Sequence, residues 1–216
     1  MLKYQTILFD LDGTLTEPKE GILNSIEYAL HKFDIKVEAR ADLTAFIGPP
    51  LQESFQKYFG FDPEQAWQAI QYYREYFAEQ GLFENKVYPG IRELLEKLQT
   101  EHVLLAIATS KPTVYTERIL EHFQLKKFFH IVIGSNLDGT RVKKGDVIRA
   151  VLERISTINT NSIVMVGDRE HDIIGAKDNL IDSIGVTYGY GSEAELRAAG
   201  AQYIVHSVAQ LEKMLL

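Results

Sequence analysis

Two aspartates follow directly on an apolar run near the start of the chain. Residues 7–16 read ILFDLDGTLT, so Asp10 and Asp12 are separated by one leucine. In a strand, side chains two residues apart point to the same side, so both carboxylates would face one spot at the strand's carboxyl end. Two like charges about 4 Å apart repel by roughly 4 kcal/mol at an effective dielectric constant of about 20, which a shared proton, a cation or solvent must offset. The alternative is that both aspartates cap the turn at Gly13 and Thr14.

A second acidic cluster follows another apolar run. The run SIVMV leads into GDREHD, which places Asp168 at the tip of a predicted strand and Asp172 where the next helix begins. Together with Asp10 they put carboxylates at the ends of two neighbouring strands, the edge at which open α/β sheets bind ligands. An all-oxygen cluster of this kind suits Mg²⁺. Asp168 and Asp172 could instead be helix caps, but two acid-tipped strands in one sheet favour a metal site.

A hydroxyl pair and a lysine pair could supply the complementary groups. Thr109 and Ser110 end the run VLLAIA, and a hydroxyl with backbone N–H groups ahead of a helix forms an anion site. The same pair is also common as a helix cap. Lys143 and Lys144 precede another predicted helix, where a lysine can reach a phosphate or an anionic nucleophile. Taken alone, a lysine pair is more often a solvated surface pair.

The elements that must position these residues alternate along the chain. Six short runs are too solidly apolar for half-solvated strands, which predicts a parallel sheet covered on both faces. These runs are residues 4–9, 103–108, 130–133, 162–166, 183–186 and 203–205. Helical spacing separates them, as at residues 89–99 and 147–155, and Ser192 with Glu195 predicts a capping box. The predicted fold is therefore α/β, a doubly wound and mostly parallel sheet of Rossmann-like type.

One long segment interrupts this alternation and predicts an inserted helical domain. Apolar residues recur there at helical spacing in three stretches, which begin near Ile22, Leu51 and Ala66. The third stretch follows an Asp-Pro pair typical of a helix start. The chain is thus predicted to divide into an α/β core of residues 1–16 and 86–216 and an all-helical domain of residues 17–85.

Composition excludes several classes of protein. The chain has 216 residues, of which 45% are hydrophobic and 25% charged, as in an ordinary globular protein. Its net charge of −7 argues against a nucleic-acid surface, which needs a basic stripe. Cysteine is absent, so a metal site must use oxygen or histidine ligands. An aspartate comes too early for a signal-peptide core and no stretch approaches about 20 apolar residues, so we expect no membrane partner and a cytoplasmic location.

The order of these motifs resembles that of a known family. DLDGT, an apolar strand ending in threonine, a lysine and then GDREHDIIGA are similar, over nearly the whole chain, to the haloacid dehalogenase superfamily of phosphotransferases. The inserted helical segment looks like the helical cap of that superfamily, which carries substrate specificity. FIGPPL, YPGIRELLEKL, ATSKP and GSNLDGT resemble the branch of phosphoglycolate phosphatases and 5′-nucleotidases.

The resemblance implies a role for each candidate residue. Asp10 would be the nucleophile that forms an aspartyl-phosphate, and Asp12 the acid that protonates the leaving alcohol and then the base that activates water. Mg²⁺ would be held by the Asp10 side chain, the Asp12 backbone carbonyl and Asp168, with Asp172 supporting its water shell. The phosphate-binding residues would be Asp10, Gly13, Thr109, Ser110 and Lys144. Lys144 is preferred over Lys143 because the family's lysine opens the following helix directly.

The implied activity is Mg²⁺-dependent hydrolysis of a small phosphomonoester, with phosphoglycolate and nucleoside 5′-monophosphates as the leading substrates. Alternatives are a phosphomutase of the β-phosphoglucomutase type, a pyrophosphatase, or a non-enzymatic regulator phosphorylated on aspartate. Specificity is expected in the cap, at the loop of residues 46–50 and at Arg74, unless Arg74 lies on a solvated helix face. Residues 188–191 (YGYG) would border the site or form a flexible loop. The sequence does not decide between a monomer and a homodimer.

Overall fold

The computed structural model describes residues 2–155 and 159–216. Contacts within the chain divide it into two compact units, one made of Met1–Glu17 and Val87–Leu216 and the other of Pro18–Lys86. We call them the α/β unit and the helical unit. The boundaries between them lie one residue from those predicted for the two domains.

The strands of the chain form two sheets. In chain order they are β1 (Thr6–Phe9), β2 (Thr16–Glu17), β3 (Lys86–Val87), β4 (Leu104–Pro112), β5 (Ile131–Ser135), β6 (Ile163–Gly167), β7 (Asp182–Val186) and β8 (Tyr203–Val205). Six of them make one sheet in the order β5-β4-β1-β6-β7-β8, and the short β2 and β3 pair separately. Every neighbouring pair in the six-stranded sheet is parallel. All six predicted apolar runs are strands of this sheet, which confirms the predicted fold class.

Helices connect the strands and fill the helical unit. In chain order they are α1 (Lys19–His31), α2 (Leu51–Phe59), α3 (Pro63–Tyr76), α4 (Ile91–Thr100), α5 (Thr113–His122), α6 (Lys144–Leu152), α7 (Glu170–Asp178), α8 (Glu193–Ala199) and α9 (Val208–Leu215). Short 3-10 turns occupy Arg40–Phe46, Lys126–Phe128 and Thr160–Ser162, and a π-helical turn at Phe77–Gly81 ends α3. Among the described residues, no helix is both long enough and apolar enough to cross a membrane.

The sheet brings the carboxyl ends of three strands together. β1 lies between β4 and β6, with Phe9 opposite Ile107 on one side and Val166 on the other. Every residue of β1 and β6 is buried, as expected for the central strands of a parallel sheet covered on both faces. The chain therefore leaves β1, β4 and β6 at one edge of the sheet, where ligands bind in open α/β folds.

The helical unit is built from α1, α2 and α3, as the spacing of its apolar residues predicts. α3 begins at a complete capping box, in which the Asp62 side chain accepts a backbone hydrogen bond from Gln65 and the Gln65 side chain accepts one from the Asp62 N–H. At the other end of α3, Gly81 lies so close to Gly21 of α1 that a Cβ on Gly21 would sit 1.8 Å from the Gly81 carbonyl oxygen. Only glycine at position 21 permits this approach of the two backbones.

Local structure differs from prediction at three points. β1 ends at Phe9, so Asp10 and Asp12 follow the strand and their side chains are not related by strand alternation. β4 continues through an irregularity to Pro112, so the predicted helix after Ser110 starts only at Thr113. At the start of α8, the Ser192 hydroxyl accepts the Glu195 N–H as predicted, but the Glu195 carboxylate accepts hydrogen bonds from α7 instead.

Candidate active site

Asp10 stands directly past the end of the central strand β1. Its backbone N–H donates to the Val166 carbonyl at 2.9 Å, which continues the pairing with β6 one residue beyond the strand. The chain then turns at Gly13, whose φ of +85° is a left-handed conformation that favours glycine. The Asp10 side chain is therefore fixed on a buried backbone and is itself only 8% exposed.

Lys144 is the cation that the structure brings to Asp10. Its Nζ lies 2.7 Å from Asp10 Oδ1 and 2.8 Å from Asp172 Oδ1, and it donates a hydrogen bond of 3.0 Å to the Ala108 carbonyl. Burial opposes the ammonium charge, but the two carboxylates outweigh it and raise the pKa of Lys144, so the side chain stays protonated. Lys143 is exposed, so of the two lysines the structure places Lys144 in the site.

Asp168 and Asp172 sit at the junction of β6 and α7. Both are buried, and each carboxylate is oriented by a backbone N–H. Tyr190 N–H donates to Asp168 Oδ2 at 2.7 Å, and Arg169 N–H donates to Asp172 Oδ2 at 3.1 Å. A Cβ on Gly167 would lie 2.1 Å from the Asp172 Cγ, so glycine there makes room for the carboxylate to fold back over the end of β6.

Three of these carboxylates form a cluster suited to a divalent cation. One oxygen each of Asp10, Asp168 and Asp172 lie within 4.8 Å of one another. Burial and then the charges of the other two raise the pKa of Asp168 well above its usual value, so in the bare protein the acids repel each other. Asp172 Oδ1 receives no hydrogen bond from the described residues, and its ion pair with Lys144 leaves the cluster with an excess of negative charge. The all-oxygen donor set and this excess fit Mg²⁺.

Asp12 does not share the lysine of Asp10. Its Oδ2 forms an ion pair of 2.8 Å with the Nζ of Lys111, and the two side chains are 13% and 6% exposed. Asp12 Oδ1 is buried and has no hydrogen-bond partner among residues 2–155 and 159–216. Burial raises the pKa of Asp12, and the charge of Lys111 partly offsets that rise. Sequence reasoning did not identify Lys111, although it stands in the ATSKP stretch, because that stretch was predicted to leave the sheet.

Thr109 and Ser110 lie within the extended β4 and not at a helix start. Thr109 is buried, and its Oγ1 accepts the Lys111 N–H at 3.3 Å. Ser110 is half-buried, and its carbonyl accepts a hydrogen bond of 2.7 Å from the Ser135 hydroxyl. The residue before α5 is Pro112, with no side-chain cap, so neither hydroxyl caps that helix.

The loop of residues 188–191 borders the acidic cluster. Besides the hydrogen bond from Tyr190 N–H, Gly191 packs on Asp168 so closely that its Cβ would lie 1.8 Å from the Asp168 carbonyl oxygen. The Tyr188 hydroxyl donates to the Thr14 carbonyl at 3.0 Å, which ties the loop to the turn after Asp12. Gly13 faces Asp168 from that turn, where a Cβ would come within 2.2 Å of the carboxylate. The Asp168 carboxylate is thus enclosed by backbone on two sides.

The comparisons with known proteins agree with this geometry. A model of the haloacid dehalogenase-like hydrolases matches residues 7–186. A Pseudomonas aeruginosa protein named 5′-nucleotidase is 45% identical over 99% of this chain and 96% of its own length. A predicted phosphatase from Clostridium acetobutylicum is 53% identical, with a TM-score of 0.94 over 97% of both chains. The tyrosine-protein kinase PtkA of Mycobacterium tuberculosis is 36% identical over 94% of this chain and 69% of its own.

The chain therefore belongs to the haloacid dehalogenase-like hydrolases. Within that family, its match to the hydrolase model and its relatives that carry phosphatase names support a phosphatase. Phosphatases of this family generally use Mg²⁺, and the buried aspartates at the end of the sheet are a group that could hold it.

Proposed function

We propose that this protein is a Mg²⁺-dependent phosphatase that hydrolyses a small phosphomonoester through a phosphorylated Asp10. The observation that carries the proposal is the separate pairing of the two motif aspartates. Lys144 holds Asp10 beside the acidic cluster at 2.7 Å, while Lys111 holds Asp12 at 2.8 Å. Two carboxylates with different partners can do different work, one as nucleophile and the other as proton carrier.

In the first step, an oxygen of Asp10 attacks phosphorus and the bond from phosphorus to the leaving alcohol breaks. Asp12, in its protonated form, donates its proton to the departing oxygen, so the product is a neutral alcohol. The raised pKa of Asp12 favours this protonated form. Lys144 balances the charge of Asp10 and of the phosphoryl group as they approach each other.

In the second step, water hydrolyses the aspartyl-phosphate. Asp12 is now ionised and takes a proton from water, whose oxygen attacks phosphorus while the bond to Asp10 breaks. Inorganic phosphate leaves, and Asp10 and Asp12 return to their starting states. Thr109, within the neighbouring strand β4, and the backbone at Gly13 and Ser110 are proposed to bind the phosphoryl oxygens.

The metal would be held by the side chains of Asp10 and Asp168, with the Asp12 backbone carbonyl as a further ligand and Asp172 in support. When bound, Mg²⁺ supplies positive charge that offsets the repulsion between the carboxylates and a phosphate dianion. The protein itself contributes positive charge through the ammonium group of Lys144. Its contacts to both Asp10 and Asp172 hold these two carboxylates in position, so they would be oriented for an ion before it binds.

Among substrates, we propose a nucleoside 5′-monophosphate first and phosphoglycolate second. The 45% identical relative carries the name 5′-nucleotidase, and its match extends over 99% of this chain, including the helical unit. We assign the choice of leaving group to the helical unit, because the residues that would act on phosphorus all belong to the α/β unit.

The test is phosphate release from a panel of monoesters, with Mg²⁺ and with EDTA, by the wild type and by Asp10→Asn. We expect metal-dependent turnover, highest on a nucleoside 5′-monophosphate, and none by Asp10→Asn. The matched control is Asp146→Asn, which alters an exposed carboxylate paired with Arg149 on α6 and should leave turnover unchanged. Full activity in Asp10→Asn would refute the proposal.

The same assay distinguishes the alternatives. Net isomerisation of a hexose phosphate with little free phosphate would indicate a mutase, and release from pyrophosphate alone would indicate a pyrophosphatase. A phosphorylated Asp10 that persists for minutes, without turnover of any ester, would indicate a regulator.

A further inference from the structure

Lys111 is a buried cation to which the resemblance assigns no role. Its side chain is 6% exposed, and its Nζ forms an ion pair of 2.8 Å with Oδ2 of Asp12. The other oxygen, Oδ1, is buried and accepts no hydrogen bond from the described part of the chain. A buried carboxylate oxygen without a partner is costly, so one expects it to have a use that the resting protein does not show.

The backbone that carries Lys111 is fixed to the sheet. β4 runs past an irregularity to Pro112, which pairs with Ser135 of β5. The Ser135 hydroxyl donates to the Ser110 carbonyl at 2.7 Å. The preceding residue of β5 is equally close to this segment: a Cβ on Gly134 would lie 2.1 Å from the Lys111 carbonyl oxygen, so the two backbones are in direct contact. The ammonium group thus extends to Asp12 from a rigid strand and not from a loop.

We infer that Lys111 is the positioning residue of the proton carrier: it holds Oδ2 of Asp12 so that Oδ1 faces the oxygen to be protonated and later the attacking water. This inference rests on the proposed function, because it assigns Asp12 the two proton transfers described above. The balance of the reaction is unchanged, since Lys111 neither gains nor loses a proton in either step. Lys111 thus holds Oδ2 of Asp12 in place, while Oδ1 donates and accepts the proton.

The position of Lys111 separates its task from that of Lys144. Lys144 contacts Asp10 and Asp172, whereas Lys111 forms an ion pair with Asp12. Loss of Lys144 should therefore impair phosphoryl transfer from every ester. Loss of Lys111 should impair only those steps that need a proton delivered or removed.

The test compares Lys111→Met with the wild type on two esters that differ in leaving group. p-Nitrophenolate leaves without being protonated, whereas the alkoxide of adenosine 5′-monophosphate requires an acid. We expect kcat/KM to fall about 100-fold on the nucleotide, the scale of general acid catalysis, and to change by no more than a few-fold on p-nitrophenyl phosphate. On the aryl ester kcat should fall, with a burst of p-nitrophenol, because hydrolysis of the phosphorylated enzyme also needs Asp12.

A double-mutant cycle guards against a merely structural effect. If Lys111 acts through Asp12, Lys111→Met added to Asp12→Asn should cost no further activity on the nucleotide. The control Lys97→Met removes an exposed lysine with an ion pair of 2.6 Å to Glu212 in the same unit, and it should behave as the wild type on both esters.

Two results would overturn the inference while leaving the proposed function intact. One is an equal fall of kcat/KM on both esters in Lys111→Met, and the other is a rise in KM alone, which would make Lys111 a substrate-binding residue. A wild type without turnover of any monoester would refute the proposed function itself, and this inference with it.

Discussion

Lys144 is the residue on which the charge balance of the site depends. It is the lysine within hydrogen-bonding distance of Asp10, and it also reaches Asp172 and the Ala108 carbonyl. A buried lysine with no acidic partner would lose its proton, so the two carboxylates are what keep this one charged. Burial raises the pKa of Asp172 to about 6, and the charge of Lys144 opposes that rise.

Replacing Lys144 by Met should therefore damage both activity and stability. Removal of one partner of a buried ion pair typically costs about 3–5 kcal/mol, and we expect a loss of that size in the free energy of unfolding in EDTA. kcat/KM should fall by about 100-fold or more, because the nucleophile loses its counter-charge. Urea denaturation and phosphate release measure the two effects.

The neighbouring residue provides the control. Lys143 is exposed, so Lys143→Met should change the free energy of unfolding by no more than about 0.5 kcal/mol and leave kcat/KM intact. If Lys143→Met were the damaging variant and Lys144→Met the silent one, the placement of the site lysine would be wrong.

The backbone of the loop of residues 188–191 holds Asp168 in position. Tyr190 N–H fixes one carboxylate oxygen, and Gly191 lets the loop pack against the Asp168 backbone. Hydrogen bonds of this kind orient the side chains that bind metals, so the loop would support Asp168 in the proposed metal site.

Gly191→Ala should displace this support. The added Cβ would meet the Asp168 carbonyl oxygen at 1.8 Å, and relieving that clash should cost about 1–3 kcal/mol of stability. The Mg²⁺ concentration for half-maximal activity should rise about 10-fold, as for other supporting residues around metal ligands. Gly145→Ala is the control, because its Cβ on α6 would have its nearest neighbour at 3.5 Å. Equal metal dependence in both variants would contradict the role of the loop.

The start of α7 is held by Glu195 of α8, which accepts hydrogen bonds from the Arg169 side chain at 2.8 Å and the Glu170 N–H at 2.9 Å. Burial tends to raise the pKa of Glu195, but these donors outweigh it and lower the pKa below the ordinary 4.5. A carboxyl with a lowered pKa in the folded state stabilises the protein above its unfolded pKa, and that contribution is lost as the pH falls through the folded value.

Glu195→Gln should accordingly lower the free energy of unfolding by about 1 kcal/mol at pH 7, as expected for charged hydrogen bonds partly screened by solvent. The difference in the free energy of unfolding between this variant and the wild type should disappear as the pH falls below 4.5. Urea denaturation at a series of pH values measures this difference. If this difference in the free energy of unfolding does not change with pH, the charge of the Glu195 carboxylate does not contribute to stability.

Most of the sheet and part of the candidate site can be predicted from local sequence patterns. Solid apolar runs identify all six strands of the main sheet, because strands buried on both faces carry no polar alternation. Asp10 and Asp168 are predicted from their position at the ends of such runs, and Asp172 from its position four residues further on, where the next helix begins. The helical segment follows from its spacing and from the Asp62 cap.

The remainder depends on contacts between distant parts of the chain. The polar stretch Ser110–Pro112 resembles a loop, yet pairing with β5 keeps it in the sheet and so places Lys111 at Asp12. The support of Asp168 comes from the backbone N–H of Tyr190, which every residue except proline possesses, so side-chain identity carries no signal for it. No local pattern predicts either contact.

For the whole molecule, the cluster of like charges links metal binding to stability. Mg²⁺ should raise the free energy of unfolding of the wild type by about 2.7 kcal/mol at 100 times its Kd, since only the folded chain brings the three carboxylates within 4.8 Å. Asp168→Asn should be at least as stable as the wild type in EDTA, because it removes repulsion, and should gain little from Mg²⁺. Thermal denaturation with Mg²⁺ and with EDTA gives both values. An equal gain in the two proteins would place the metal elsewhere.

The proposed mechanism requires that Asp10 carries the phosphoryl group and Asp12 carries the proton. The most direct measurement is mass spectrometry of protein quenched in acid during turnover of p-nitrophenyl phosphate, with Asp12→Asn used to slow hydrolysis of the intermediate. We expect one phosphoryl group on the peptide that contains Asp10, and it should accumulate in Asp12→Asn beyond its level in the wild type. A phosphoryl group on another residue, or none in either protein while p-nitrophenol and phosphate are released, would contradict it.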